Sequence, residues 1–127
     1  MSDSESSICL HPNGYIEVIF RGVVRSSRLA ELIEEAQRLS EKYSSINVLI
    51  DGRNGATSRT ARSFSTMMRM GRFPNVTQLI ILTTDDPARI DAIRGPGVVT
   101  SILTSALGFR PIYTSDEAEA RRLAAKK

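Results

Sequence analysis

Residues 46–51, Ile-Asn-Val-Leu-Ile-Asp, are a nearly continuous apolar run too short to make a stable helix. Such a run reads as a β-strand covered on both faces, because successive side chains point to opposite sides of the pleat. Val76 to Thr83, with Leu79-Ile80-Ile81-Leu82 at its heart, is a second run of the same kind. Two doubly covered strands need helices above and below the sheet, which selects the α/β class.

The segments around these runs supply the helices. Ser26-Ser27 offers an N-cap, and Leu29, Leu32, Ile33, Ala36, Leu39 and Tyr43 recur at helical spacing through Ser44, with Glu31, Glu34, Glu35, Arg38, Glu41 and Lys42 on the other side. Gly52-Arg53-Asn54-Gly55 reads as a loop. Thr57 or Ser58 caps a second helix to about Gly71. Asp85-Asp86-Pro87 starts a third, broken at Gly95-Pro96-Gly97 and resumed by Val98, Val99, Ile102, Leu103, Ala106 and Leu107. Phe109 to Tyr113 is a short strand, and Ser115-Asp116 caps a last helix that packs Ala118, Ala120, the Arg121 stem and Leu123. Upstream, Ile8 to His11 and Tyr15 to Arg21 flank Pro12-Asn13-Gly14, a hairpin signal. The expected fold is a mostly parallel sheet opened by an antiparallel hairpin, in the order β-β-α-β-α-β-α-β-α, with helices packed on the sheet.

At 127 residues, 41% hydrophobic and 24% charged, the chain suits one globular domain. Residues 1–7 are small and polar and are expected to be mobile, leaving residues 8–127 as the domain. A net charge of +3 is a mild imbalance, well short of a polybasic run. The one cysteine, Cys9, excludes an intrachain disulfide and is expected to be a buried small residue. No basic start precedes an apolar stretch, and no apolar run approaches the roughly 20 residues that span a bilayer, so a cytoplasmic location is expected.

In this order the chain resembles the STAS-like, or SpoIIAA-like, family of anti-sigma-factor antagonists and sulphate-transporter cytoplasmic domains. The resemblance covers about Ile8 to Leu123. It is carried by the opening hairpin, by Val48-Leu49-Ile50-Asp51 leading into a polar segment, by the strand Gln78 to Leu82, and by Phe109-Arg110-Pro111-Ile112-Tyr113-Thr114-Ser115-Asp116-Glu117-Ala118. It implies a regulatory domain that binds proteins or nucleotides, with some members binding apolar ligands. In the antagonists, a Ser or Thr at the start of the helix after the middle strand is phosphorylated and switches partner binding. Here the tight Asp-Ser/Thr-Ser-Gly core gives way to Asp51-Gly52-Arg53-Asn54-Gly55-Ala56-Thr57-Ser58, which leaves Thr57 and Ser58 as the acceptors to consider.

The residues themselves nominate the same segment. Asp51 to Ser58 follows the carboxyl end of a central strand, where open α/β sheets gather ligands. Its glycines, the following helix N-terminus, Arg53 and Arg59 would favour an anion or a phosphoryl group on Thr57 or Ser58. The structural alternative is a capped helix and a shaped connection. The glycine spacing matches neither a P-loop nor a dinucleotide fingerprint. On the second helix, Ala61, Phe64, Met67, Met68 and Gly71 share one arc, while Arg59, Arg62, Arg69 and Arg72 lie roughly opposite. Those guanidiniums suit an acidic partner, or are a solvated face. The Gly95-Pro96-Gly97 break would gate an apolar pocket, or is a kink.

Catalytic patterns are sparse. The one histidine, His11, sits beside the hairpin turn, and no His/Cys cluster offers metal ligands. Asp51 as a response-regulator phosphoacceptor would need an acidic pair after the first strand, and that region is Arg21-Gly22-Val23. The reading is therefore a non-catalytic protein-interaction module with no cofactor and no metal. Its expected partner is a protein, a second copy of the chain included. Nucleic acid is not expected, given 6% aromatic residues and no tryptophan. The alternative is a carrier or sensor of a small apolar or phosphorylated ligand.

Overall fold

In a computed structural model of the chain, residues 6–57, 75–83 and 112–126 are described, with backbone alone at 26, 56 and 57. The helices expected from Thr57 to Gly71 and from Pro87 to Leu107, with the Gly95-Pro96-Gly97 break, lie outside the described residues. What is described is an α/β fold. Strands β1 (Ser7–Leu10), β2 (Ile16–Val24), β3 (Ile46–Thr57), β4 (Val76–Leu82) and β5 (Ile112–Thr114) form one sheet in sequential order. β1 and β2 are antiparallel, and every later pair is parallel. Helices α1 (Ser26–Ser40) and α2 (Glu117–Ala125) complete it.

The hairpin forms where Pro12-Asn13-Gly14 places it. The His11 N–H donates to the Tyr15 carbonyl at 2.7 Å, and Gly14, at φ 88°, takes the left-handed conformation the turn requires. Two residues of the polar start are placed: Ser7 opens β1, and buried Ser6 accepts the Arg21 N–H on its Oγ at 2.9 Å. Cys9 is exposed, not buried. On this edge strand Ile8 packs into the α1-side core, and Cys9 points to the opposite side of the pleat.

Helix α1 forms because its apolar positions make one stripe. Leu29, Leu32 and Ala36 are buried against Ile16, Val18, Val24, Ile46, Val48, Leu79 and Ile81, with Ile33, Leu39 and Tyr43 at the margin. Each fully buried aliphatic side chain contributes roughly 1.5–3 kcal/mol. Its ends differ from expectation. Ser26 and Ser27 stand inside the first turn, and the N-cap is Arg25, extended at φ −75° and ψ 162°, with no side-chain cap bond. The helix stops at Ser40 rather than Ser44. The Ser40 hydroxyl donates to the Gln37 carbonyl, and the Asn75 amide donates to the Ser40 carbonyl, which satisfies the frayed end.

The opposite face of the sheet carries α2. Ala120 and Ala124 are buried against Tyr15, Leu49, Ile80 and Leu82, while Ala118, expected to pack, is exposed. Asp116 caps α2 as expected, its carboxylate accepting the Glu119 N–H at 3.2 Å. Alternation along β3 sorts the faces: Ile46, Val48 and Ile50 look toward α1, and Asn47, Leu49 and Asp51 toward α2. No described helix is long and apolar enough to cross a membrane.

Candidate functional site

β4 and β5 end level with Asp51, which pairs with Leu82, which in turn pairs with Thr114. β3 does not stop there. Gly52-Arg53-Asn54-Gly55, expected as a loop, is strand, and β3 continues to Thr57 alongside Arg21–Val24 of β2. The correction has a packing cause. Gly22 and Gly55 face each other in the register, and a Cβ on Gly55 would lie 2.6 Å from the Arg21 nitrogen. Glycine here permits a close backbone approach rather than a turn. The result is a two-stranded parallel ribbon extending beyond the other described strands by about 20 Å at the strand rise. Val23 on it is 71% exposed, and Arg21, Gly22 and Asn54 are exposed as well.

Asp51 lies at the root of this ribbon, buried, and Arg53 reaches back to it. Arg53 Nε and Nη2 donate to the two carboxylate oxygens at 3.0 and 2.8 Å, and the Arg53 N–H donates to Oδ1 at 3.1 Å. This is the bidentate geometry that suits guanidinium to carboxylate. Arg53 Nη1 also donates to Glu117 Oε1 of α2 at 2.8 Å. The chain of charges goes on. Arg121 Nε donates to Glu117 Oε2 at 2.9 Å, and Arg121 Nη1 donates to the Tyr15 hydroxyl at 2.9 Å. The same Nη1 lies 2.8 Å from Glu17 Oε2, an ion pair that ties α2 to β2.

Every resolved shift in this network moves its group away from neutrality. Burial acts to raise the Asp51 pKa, but the hydrogen bonds from the Arg53 side chain and N–H, with its charge, outweigh burial and hold the carboxyl below its ordinary 3.8. Arg121 and Arg53 hold the Glu117 carboxyl below its ordinary 4.5. Asp51 chiefly, and Glu117 with it, raise the Arg53 guanidinium further. Desolvation opposes the charge on Arg121, and Glu117, Glu17 and Tyr15 overcome it. A proton-transfer group works best with a pKa near the operating pH, and these four are driven the other way.

The structure therefore brings together Asp51 and Arg53, and occupies Arg53 with internal carboxylates rather than leaving it open to an external anion. Thr57 is placed by its backbone at the tip of β3. Ser58, Arg59, Arg62, Arg69 and Arg72 lie outside the described residues. Sequence reasoning missed Glu117, Arg121, Glu17 and Tyr15 as a unit. Glu117 and Arg121 did carry a signal, an opposite-charge pair four apart on one helix face. It also missed Asn47, whose amide donates to the Leu123, Ala124 and Lys126 carbonyls at 3.4, 2.9 and 2.6 Å and so closes the C-terminus of α2 from inside the sheet. The Thr77 hydroxyl orients that amide by donating to its oxygen at 2.9 Å. The signal for Asn47 was a polar residue interrupting an apolar run. His11 stacks on Tyr15, ring centroids 4.4 Å apart, and accepts the Asn13 N–H on Nδ1. No group of three or more metal-ligating side chains occurs among the described residues. Compared with family models, curated proteins and solved structures, the chain matches none.

Proposed function

We propose that this chain is a non-catalytic, cytoplasmic interaction module of the STAS-like kind, with the full order β-β-α-β-α-β-α-β-α, that binds a protein partner through the carboxyl edge of its sheet. The observation that carries the reading is the ribbon. β2 and β3 run past β4 and present exposed Val23, Arg21 and Asn54 where the described sheet has no further strand beside them. The ribbon ends at Thr57, one of the two candidate acceptors, and Ser58, the other, follows it in sequence. Arg59, Arg62, Arg69 and Arg72 follow in sequence and give the partner surface its basic character. The network around Asp51 supports binding over catalysis, since its groups stay charged and locked in structural pairs.

Pull-down with an R59E/R62E variant tests this. Partner recovery, or self-association read by sedimentation, is expected to fall about tenfold or more from loss of charge-assisted contacts. Unchanged recovery would remove that surface from the reading. The second reading, a sensor of a small phosphorylated ligand, is favoured by one observation of its own, a cavity lined with arginines at the start of α1.

A further inference from the structure

Where β2 hands over to α1, Ser6, Arg21, Val24, Arg25, Ser27 and Arg28 line a cavity of about 300 Å³. It opens beside the ribbon, at the edge where the parallel strands end. The three arginines in its lining are unequally engaged. Arg28 donates from Nη1 to Glu31 at 3.0 Å and from Nη2 to the Ser6 carbonyl at 2.5 Å. Its Nε is closed to solvent and has no hydrogen-bond partner. Arg21 and Arg25 are exposed, and their guanidiniums form no ion pair among the described residues.

The charge balance selects the ligand. Among the described residues, three lining arginines stand against the single carboxylate of Glu31, an excess of two positive charges around the opening. A phosphate monoester carries roughly −1.5 to −2 near neutral pH and offers three acceptor oxygens. Arginine meets such oxygens in pairs. Ser6 Oγ, already accepting from the Arg21 N–H, still has its own hydrogen to donate. The volume is at the small end of ligand sites, which suits a phosphoryl group on a compact carrier.

We propose that this cavity binds a phosphoryl group, presented as a small phosphate monoester or as a phosphorylated side chain. The inference deepens the second reading of the function and does not depend on the Arg59/Arg62 surface.

Isothermal titration of inorganic phosphate, phosphoserine and a short phosphoserine peptide into the intact protein tests it, at fixed ionic strength with chloride as control. Saturable phosphate binding is expected, weakened about tenfold or more in R21Q/R25Q. Neither arginine side chain has a described partner, so the variant is expected to keep the wild-type circular dichroism and melting midpoint. R59E/R62E is expected to bind phosphate as the wild type does. Tighter binding of the peptide than of free phosphoserine assigns the ligand to a modified protein, and the reverse to a free monoester; either supports the site. Phosphate held no better than chloride, or equally well by R21Q/R25Q, overturns it. So does binding lost in R59E/R62E and retained in R21Q/R25Q. Failure of the pull-down alone leaves this result untouched, so the two proposals fail separately.

Discussion

On the α1 side of the sheet, Leu29, Leu32 and Ala36 press on Ile16, Val18, Val48 and Ile81, and the described contact is almost wholly apolar. On the α2 side, two alanines meet Tyr15, Leu49, Ile80 and Leu82, and much of the remaining contact is polar: Asn47 on the last carbonyls of α2, and Arg53 and Arg121 bridging Asp51, Glu117 and Glu17. Apolar burial is non-directional and tolerates exchange of similar volumes. Charge-assisted bonds are directional, so they set the rotation and height of α2 more tightly than alanine packing does. One helix is held by how much it covers, the other by where its bonds point.

Removing volume from the first face should cost most. Leu32→Ala is expected to destabilise by about 2–5 kcal/mol, with little change between pH 3 and 8, because the described cluster it is buried in is hydrophobic. Denaturant unfolding at several pH values reads this. A pH-dependent loss would show that the two faces are not separable.

Asn47→Leu keeps shape on the second face and removes the amide that the Leu123, Ala124 and Lys126 carbonyls share. About 1–3 kcal/mol is expected, with faster amide exchange concentrated at Leu123 to Lys126. Uniform exchange across the sheet would contradict a local clasp.

The smallest effect should belong to Asp51→Asn, at about 1–2 kcal/mol near neutral pH, discounted because Arg53 is one-third exposed and retains Glu117. Its signature is the acid limb. Asp51 and Glu117 titrate lower in the folded chain than in the unfolded one. Between the two pKa values the unfolded state binds more protons, so stability rises with pH there. The contribution is complete above the ordinary carboxylate range and is lost as pH falls through 4.5 and 3.8 toward the depressed values. Asp51→Asn should flatten that limb, and an unchanged slope would place the acid sensitivity elsewhere.

This contrast also explains what was legible in the sequence. The α1 face was, because the nearly continuous apolar runs of β3 and β4 and the helical spacing of Leu29, Leu32 and Ala36 are patterns of hydrophobicity, and burial follows hydrophobicity. So were the Asn13-Gly14 turn and the Asp116 cap, which depend on residues next to each other. The α2 face was not. Asn47 and Ala124 stand 77 residues apart, and nothing local to either announces the other. The segment Gly52 to Gly55 was misread for a related reason. Glycine signals freedom of backbone or absence of side chain, and only the register with Gly22 shows that here it is the absence that matters. Of the candidate site, Asp51 was placed by the end of its apolar run, but its bond to Arg53 depends on a strand that was taken for a loop.

The sequential strand order has a consequence for biosynthesis. Each strand of this sheet can add to the one made just before it, so the sheet can grow in step with synthesis, from the first hairpin onward. The clasp between Asn47 and the residues around Ala124 cannot follow that rhythm: its two halves stand 77 residues apart, with β4 and β5 made between them. Until the ribosome has delivered α2, Leu49, Ile80 and Leu82 lack the alanines that shelter them, and the nascent sheet is at its most exposed to chaperones and to wrong neighbours just before it is complete.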